Sequence, residues 1–342
     1  MIQFLLQKIS RVMLVTLGTT LIVFLLLHAV PGNPWSNYST LARVQLGAEV
    51  DQGIQKELSR RFGLDLPLWR QFTRYIIGDR YENGKIFCGA ICGNLGPSIQ
   101  QRGRPVLAVL FDAPEGKTFW QSQVGYSLRL VFLAALIAAG IGVPLGILSA
   151  LKPNSAFSRA ISVGLAGLMS IPNFVLGLLA ILVLASWLKM IKVLPDWNQP
   201  GDWIVPAVVL AVMPMASIAR MMNATLANII HEDYVRTARA KGLPNARILW
   251  DHMLRNALVP LVTFLGPALL EIFTSLLIVE NLYAFPGFGH GFWLAVLALD
   301  YPMVLGQTLV YAAGIALVNV LIEILCDILD PRLRTVQLAG AP

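Results

Sequence analysis

Residues 232–242 read EDYVRTARAKG: acids at the front, bases towards the back, a glycine at the end, and long apolar blocks on both sides. Early acids and late bases complement the dipole of a helix. Asp233 has the side chain of an N-cap, Gly242 is suited to a left-handed stop, and Pro244 follows it. The stretch predicts about two and a half turns of polar helix and then a hard end. A polar helix set between oil-soluble blocks has to face something other than lipid, so this is membrane scaffold that presents a short handle.

The blocks can be counted, since a bilayer core takes about 20 apolar residues per helix. Residues 12–30 give 19 without a formal charge, 130–151 give 22, 160–188 give 29 and 203–219 give 17. Residues 257–279 are a fifth block, broken only by Glu271, and 301–322 are a sixth. Residues 281–299 are another uncharged run. Pro286, Gly287, Gly289 and Gly291 would leave backbone groups unpaired in lipid there, and residues 292–299 alone are too short to cross. That run reads as a re-entrant or surface-lying loop. The fold class is therefore an all-α membrane protein of six transmembrane helices. Pro172, Pro206, Pro214, Pro260 and Pro267 shape spans three to five.

Short loops set the orientation. Lys8 and Arg11 precede span one, Lys152 and Arg159 flank the loop between spans two and three, and Arg332 and Arg334 follow span six. The loop between spans four and five carries Arg220, Arg236, Arg239, Lys241, Arg247 and Arg255. All fall on one side, which the positive-inside rule makes cytoplasmic. The loop 31–125, with 11 basic and 8 acidic residues, lies outside, because loops beyond about 60 residues escape the rule. The organisation is then 1–30 for the N-terminus and span one, 31–125 extracytoplasmic, 126–330 a core with cytoplasmic loop 223–256, and 331–342 a cytoplasmic tail. The N-terminal apolar stretch is too long for a removable signal peptide and lacks a small-residue cleavage site.

Composition agrees. The 342 residues are 56% hydrophobic and 13% charged, against about 25% charged in soluble chains. The net charge of +7 follows topology and is no nucleic-acid signature. Three cysteines and four histidines make no zinc cluster. Cys88 and Cys92 are the near pair: a local disulfide or two free thiols. Gly116-Lys117-Thr118 has the end of a P-loop, but Phe111 stands where its first glycine belongs, so phosphate has no cradle. Nucleophile and metalloprotease motifs are absent from the sequence, which leaves no catalytic residue to nominate.

The cassette, continued by Gly242-Leu243-Pro244 and by residues 255–260 (RNALVP), resembles the coupling loop of ABC-importer membrane subunits. More narrowly the chain resembles the B-type permease subunit of peptide, dipeptide and nickel importers. Residues 27–32 (LHAVPG), 94–98 (NLGPS), 280–283 (ENLY), 285–289 (FPGFG) and 329–334 (LDPRLR) carry the same likeness, which spans nearly the whole chain except about 36–93. The resemblance implies a type I importer fold and a peptide or peptide-like solute. It implies a homologous C-type permease as heterodimer partner, two ATPase subunits and an extracytoplasmic binding protein. The place is the bacterial cytoplasmic (inner) membrane, with both termini cytoplasmic. The chain would bind no cofactor itself; ATP and magnesium would sit on the ATPases. Those ATPases would dock on Asp233, Tyr234, Val235, Ala238, Arg239, Lys241 and Gly242, with Tyr234 and Val235 entering a partly apolar groove and Ala238 allowing close approach. Nickel or another small solute is the alternative cargo. A secondary transporter is the alternative mechanism, but leaves the cassette unexplained.

Charges inside spans are rare and informative. Arg129, near the outer end of span two, reads as snorkelling to the interface or as part of a coupling pair. Glu271 lies past the midplane and must meet either a buried partner or a watery path. Glu280, Phe285, Gly287, Phe288 and Gly289 make a candidate extracytoplasmic gate: glycines for tight turns, aromatics for anchors. Packing against lipid is the competing reading of that loop. Arg60, Arg61, Trp69, Arg70 and Arg74 supply an aromatic-basic surface for a binding protein.

Overall fold

The computed structural model describes residues 2–30, 60, 63–80, 86–101, 103–153, 155–192 and 195–329. Among them, five helical stretches are long and apolar enough to cross a membrane: Val12–Ala29, Gln123–Leu151, Pro200–Ile229, Asn245–Leu282 and Tyr301–Leu325. They contain or belong to α1 (Ile2–Ala29), α4 (Gln123–Leu151), α7 (Ile204–Ile229), α9 (Arg255–Leu282) and α11 (Tyr301–Leu329).

The third span is not the single helix expected over 160–188. It is a bent pair, α5 (Ala156–Met169) and α6 (Asn173–Ala180), the latter prolonged by a π-helical segment, Ile181–Trp187, with 97° between the two arms. Pro172 sits at the N-cap of α6 with φ −57° and ψ 142°, an extended conformation. A proline also pushes the residue before it, here Ile171, out of the helical region. Pro144, Pro214, Pro260 and Pro267 lie inside helices that continue through them.

Two further boundaries differ. Span four runs on to Ile229, so Arg220 lies inside α7 and not in a loop. Residues 220–229 hold no glycine or proline that would end it. In the run 281–299 the helix is α10 (Phe288–Leu297), four residues earlier than expected. Ten residues rise about 15 Å, so it does not cross. Its glycines make no left-handed turns. Gly287 is extended (φ −96°, ψ −175°), and Gly291 leaves room for Gln123, whose Oε1 would lie 2.6 Å from a Cβ placed there. The left-handed residues nearby are Ala284 (φ 49°) and Leu299 (φ 53°).

The chain divides into two compact units. The first comprises Met1–Tyr126 and Gly287–Gly314. Its core joins Phe24 and Leu27 of α1, Leu95, Val106 and Leu110, Phe288 of α10, and Val304 and Leu305 of α11. Val106, Val109 and Leu110 line one side of the short α3 (Val106–Phe111), the spacing that buries one helical face. Ahead of it lie α2 (Leu68–Ile76) and an antiparallel pair, β1 (Gly78–Arg80) and β2 (Ile86–Cys88). Cys88 and Cys92 are disulfide-bonded, with Cα atoms 5.8 Å apart, which decides between the two readings left open by the sequence.

Asp300 fastens this unit. It is 1% exposed, and its carboxylate accepts from Ser98 Oγ (2.5 Å), from the backbone N–H of Ile99 (3.2 Å) and Gln100 (3.0 Å), and from that of Met303 (3.2 Å) in the first turn of α11. One side chain thus caps a transmembrane helix and holds a loop 200 residues upstream.

The second unit comprises Ser127–Pro286 and Ile315–Pro342. Within it α7 packs against α5, α6 and α9. Around residues 223–256 its core gathers Ala150, Met222, Leu226, Val235, Ala238, Ile248, Met253 and Ala257. The stretch 31–59, Arg61, and the closing motif with Arg332 and Arg334 lie outside the described residues.

Candidate functional site

The polar cassette folds as α8 (Asp233–Ala240), a helix of 8 residues. The N-cap is Glu232 (φ −67°, ψ 145°), not Asp233, and neither side chain makes the capping hydrogen bond. Asp233 is the first helical residue. Its backbone carbonyl accepts from Thr237 Oγ1 at 2.9 Å, and its carboxylate sits 3.7 Å from Arg236. At the other end Gly242 adopts φ +75°. The Gly242 N–H donates to the Arg239 carbonyl (2.9 Å) and the Leu243 N–H to that of Ala238 (3.3 Å). These are the two bonds of a Schellman stop, which requires a left-handed residue at the glycine position.

Burial divides the cassette. Val235 (0% exposed) and Ala238 (5%) point into the chain's own core, one helical turn apart. Neither is available to a partner. They are the bolts of α8, a correction to the expectation that Val235 enters a groove elsewhere. Asp233, Tyr234, Arg236, Arg239, Lys241 and Gly242 are exposed. Beyond the stop, Asn245–Arg247 and a π-helical segment, Ile248–Leu254, run into α9 and leave Trp250 exposed beside buried Ile248, Met253 and Leu254.

Inside the second unit, Glu271 of α9 accepts from Ser217 Oγ of α7 at 3.2 and 3.3 Å. A hydroxyl is its hydrogen-bond partner, and among the described residues no cation lies within ion-pair distance of it. Ser217 and Arg220 both line a groove of about 730 Å³.

Glu280 and Phe285, two of the proposed gate residues, belong to a buried cluster in the same unit. Glu280 is 0% exposed and accepts from Ser127 Oγ at 2.6 Å. Phe285, also fully buried, meets Trp197 and Trp203 edge-on at centroid distances of 4.6 and 4.8 Å. Trp203 Nε1 donates to the Trp197 carbonyl (2.9 Å), and Trp197 Nε1 to the carbonyl of Ala284 (3.2 Å). The Arg129 guanidinium lies over the Trp203 ring, 4.4 Å from its centroid, a cation–π contact in place of snorkelling. Trp197 and Trp203 escaped the sequence reading, because nothing local marks rings that meet Phe285, 88 and 82 positions away. Phe288 and Gly289 are buried in the first unit, where Gln307 Nε2 donates to the Phe288 carbonyl at 3.0 Å. Of the basic-aromatic set expected to meet a binding protein, Trp69 and Arg70 are exposed and Arg70 reaches Asp79 at 3.9 Å.

A family model described as "Binding-protein-dependent transport system inner membrane component" matches residues 142–335. The dipeptide transport system permease protein DppB of Escherichia coli (strain K12) is 30% identical over 372 residues, covering 98% of this chain and 99% of that protein. The probable D,D-dipeptide transport system permease protein DdpB of the same strain is 31% identical over 358 residues, 96% of each. The oligopeptide transport system permease protein AppB of Bacillus subtilis (strain 168) is 28% identical over 333 residues, 94% of this chain and 95% of that one. Among solved structures, the MetNI methionine ABC transporter in inward-facing conformations superposes with a TM-score of 0.51 at 19% identity, over 61% of this chain and 94% of that chain. That likeness shows the fold, the type I importer arrangement expected from the sequence. The family match covers the second half of the chain and the identities extend over almost all of it. The chain therefore belongs to the family of inner membrane components of binding-protein-dependent transport systems.

Proposed function

We propose that this chain is the B-type half of the pathway in an ATP-driven importer of di- or oligopeptides. The family works as the multi-pass permease of ABC importers, beside ATPase subunits and a substrate-binding protein. The relatives named for dipeptides and oligopeptides support peptide as cargo. The geometry of α8 carries the coupling role. Val235 and Ala238 tie the helix to the core, the Gly242 stop fixes its end, and Tyr234, Arg239 and Lys241 stand exposed. A rigid body held that way transmits a push from a docked ATPase to α7 and α9.

In this reading both termini and α8 are cytoplasmic, a C-type permease completes the pore, and two ATPases hold the ATP and magnesium. The chain itself binds no cofactor and hydrolyses nothing. Residues 31–125 face the binding protein. The test is uptake of labelled dialanine by proteoliposomes carrying the permease pair, the ATPases and the binding protein. Uptake is expected to need ATP and both ATPases and to stop with vanadate. Uptake driven by a proton gradient with the ATPases omitted would make the chain a secondary transporter.

A further inference from the structure

One helix of the first unit turns a large apolar stripe away from its own core. In α2, Phe72 and Tyr75 pack against that core and Ile76 is buried. Trp69 and Ile77 stand on another side, 69 and 62% exposed, with exposed Thr73 between them at the i, i+4 spacing of one helical face. Ile77 keeps helical angles (φ −94°, ψ −36°), so the stripe runs the length of the helix. The Thr73 hydroxyl donates to the Arg70 carbonyl at 3.1 Å, which turns its polar group back onto the helix. Ile91, 68% exposed, adds a third large apolar side chain. Its turn is closed by the Cys88–Cys92 disulfide and joined to the end of α2, where the Gly89 N–H donates to the Ile77 carbonyl at 3.0 Å.

Contacts to α1 set the height at which this stripe lies. Phe72 meets Phe24 with ring centroids 5.3 Å apart, and Gln71 Oε1 accepts from His28 Nε2 at 3.0 Å. Phe24 and His28 belong to the apolar span Val12–Ala29. They lie five residues and one residue before its end, so α2 flanks about the last 7.5 Å of a membrane helix. The His28 ring is also 5.0 Å from that of Tyr301, the first residue of α11, and so marks the end of a second span. On α1 at the same level Ile22, Leu25 and Leu26 are exposed. A protein arriving from water would have to reach below the ends of two spans to cover a helix at that depth.

We propose that α2 lies in the interface of the bilayer, with Trp69, Thr73, Ile77 and Ile91 set against phospholipid where headgroups meet acyl chains. Interfacial helices bury their apolar side about 5–10 Å into that boundary, the depth that Phe24 and His28 give α2. Tryptophan is enriched at the same level. Arg70, exposed next to Trp69 and 3.9 Å from Asp79, has a stem long enough to hold its guanidinium among the headgroups. Trp69 and Arg70 are then lipid contacts, and docking of a binding protein falls to other residues of 31–125. The inference needs only that α1 and α11 cross the membrane, so it stands apart from the peptide reading.

The test uses the complete importer, free of other reactive cysteines (Cys326→Ser in this chain), with Trp69→Cys or Ile77→Cys carrying an NBD fluorophore. Each is reconstituted in phosphatidylethanolamine–phosphatidylglycerol liposomes with or without phosphatidylcholine brominated at carbons 6 and 7. Bromolipid is expected to about halve the emission of both labels, as for groups held at the acyl boundary, while iodide in the water has little effect. Retained binding of the ATPases shows that each labelled chain is assembled. Absence of bromolipid quenching at one position or both overturns the proposal. So does bromolipid quenching that disappears when the binding protein is added, which would make the stripe a protein-docking surface.

Discussion

Replacing Asp300 by alanine is expected to destabilise the first unit by about 4 kcal/mol and to lower its unfolding midpoint in detergent by about 10 °C. Four donors converge on that buried carboxylate: Ser98 Oγ and the backbone N–H groups of Ile99, Gln100 and Met303. Removing the acceptor leaves buried donors with neither protein nor water, the expensive half of the hydrogen-bond asymmetry. It also uncaps α11, itself worth about 1 kcal/mol. Asp300→Asn keeps one carbonyl oxygen but turns an amide towards donors, so about half the loss is expected. The readout is thermal unfolding together with protease resistance of residues 86–125. A midpoint within about 1 °C of wild type for Asp300→Ala would show that the knot carries no load.

The second large effect is functional. Gly242→Val is expected to cut both uptake and ATPase stimulation by tenfold or more, with membrane insertion unchanged. A Cβ at residue 242 would meet nothing within 4 Å, so the substitution acts through backbone conformation alone. A left-handed L-residue costs roughly 1–2 kcal/mol, and a β-branched one lies at the upper end. Relaxing φ from +75° breaks the Gly242 and Leu243 N–H bonds that end α8, and the helix then points elsewhere. Gly242→Asn, which tolerates that region, is expected to stay within about twofold of wild type. Loss in the asparagine variant as deep as in the valine variant would place the defect in something other than φ.

Much of this was legible in the residues. Apolar run lengths gave the spans, the charge order and Gly242 gave α8 and its end, and Pro286 with its glycines excluded a seventh crossing. What was not legible depends on partners distant in sequence. Pro172 bends its span by 97° while Pro214 and Pro267 pass through theirs, so a proline in the sequence does not by itself mark a break. The i, i+3 spacing of Val235 and Ala238 showed a face but not what it meets; the answer lies in Met222, Ile248 and Met253. Arg129 and Trp203 are 74 positions apart, so the stacked guanidinium looked like an interfacial charge. Nothing local singled out Asp300, because three of its four donors belong to residues 98–100. Glu271 was correctly singled out as a charge to be explained, and its serine partner came only with the packing of α7 on α9.

The most direct measurement asks whether α8 touches an ATPase with the face the fold leaves open. Tyr234 is 39% exposed and its neighbour Val235 is 0% exposed, so a cysteine at each, in the assembled importer treated with a short thiol cross-linker, separates docking from mere proximity. Coupling through α8 predicts an adduct between Tyr234→Cys and an ATPase subunit, and none from Val235→Cys. An importer that takes up dialanine while Tyr234→Cys forms no ATPase adduct would contradict it.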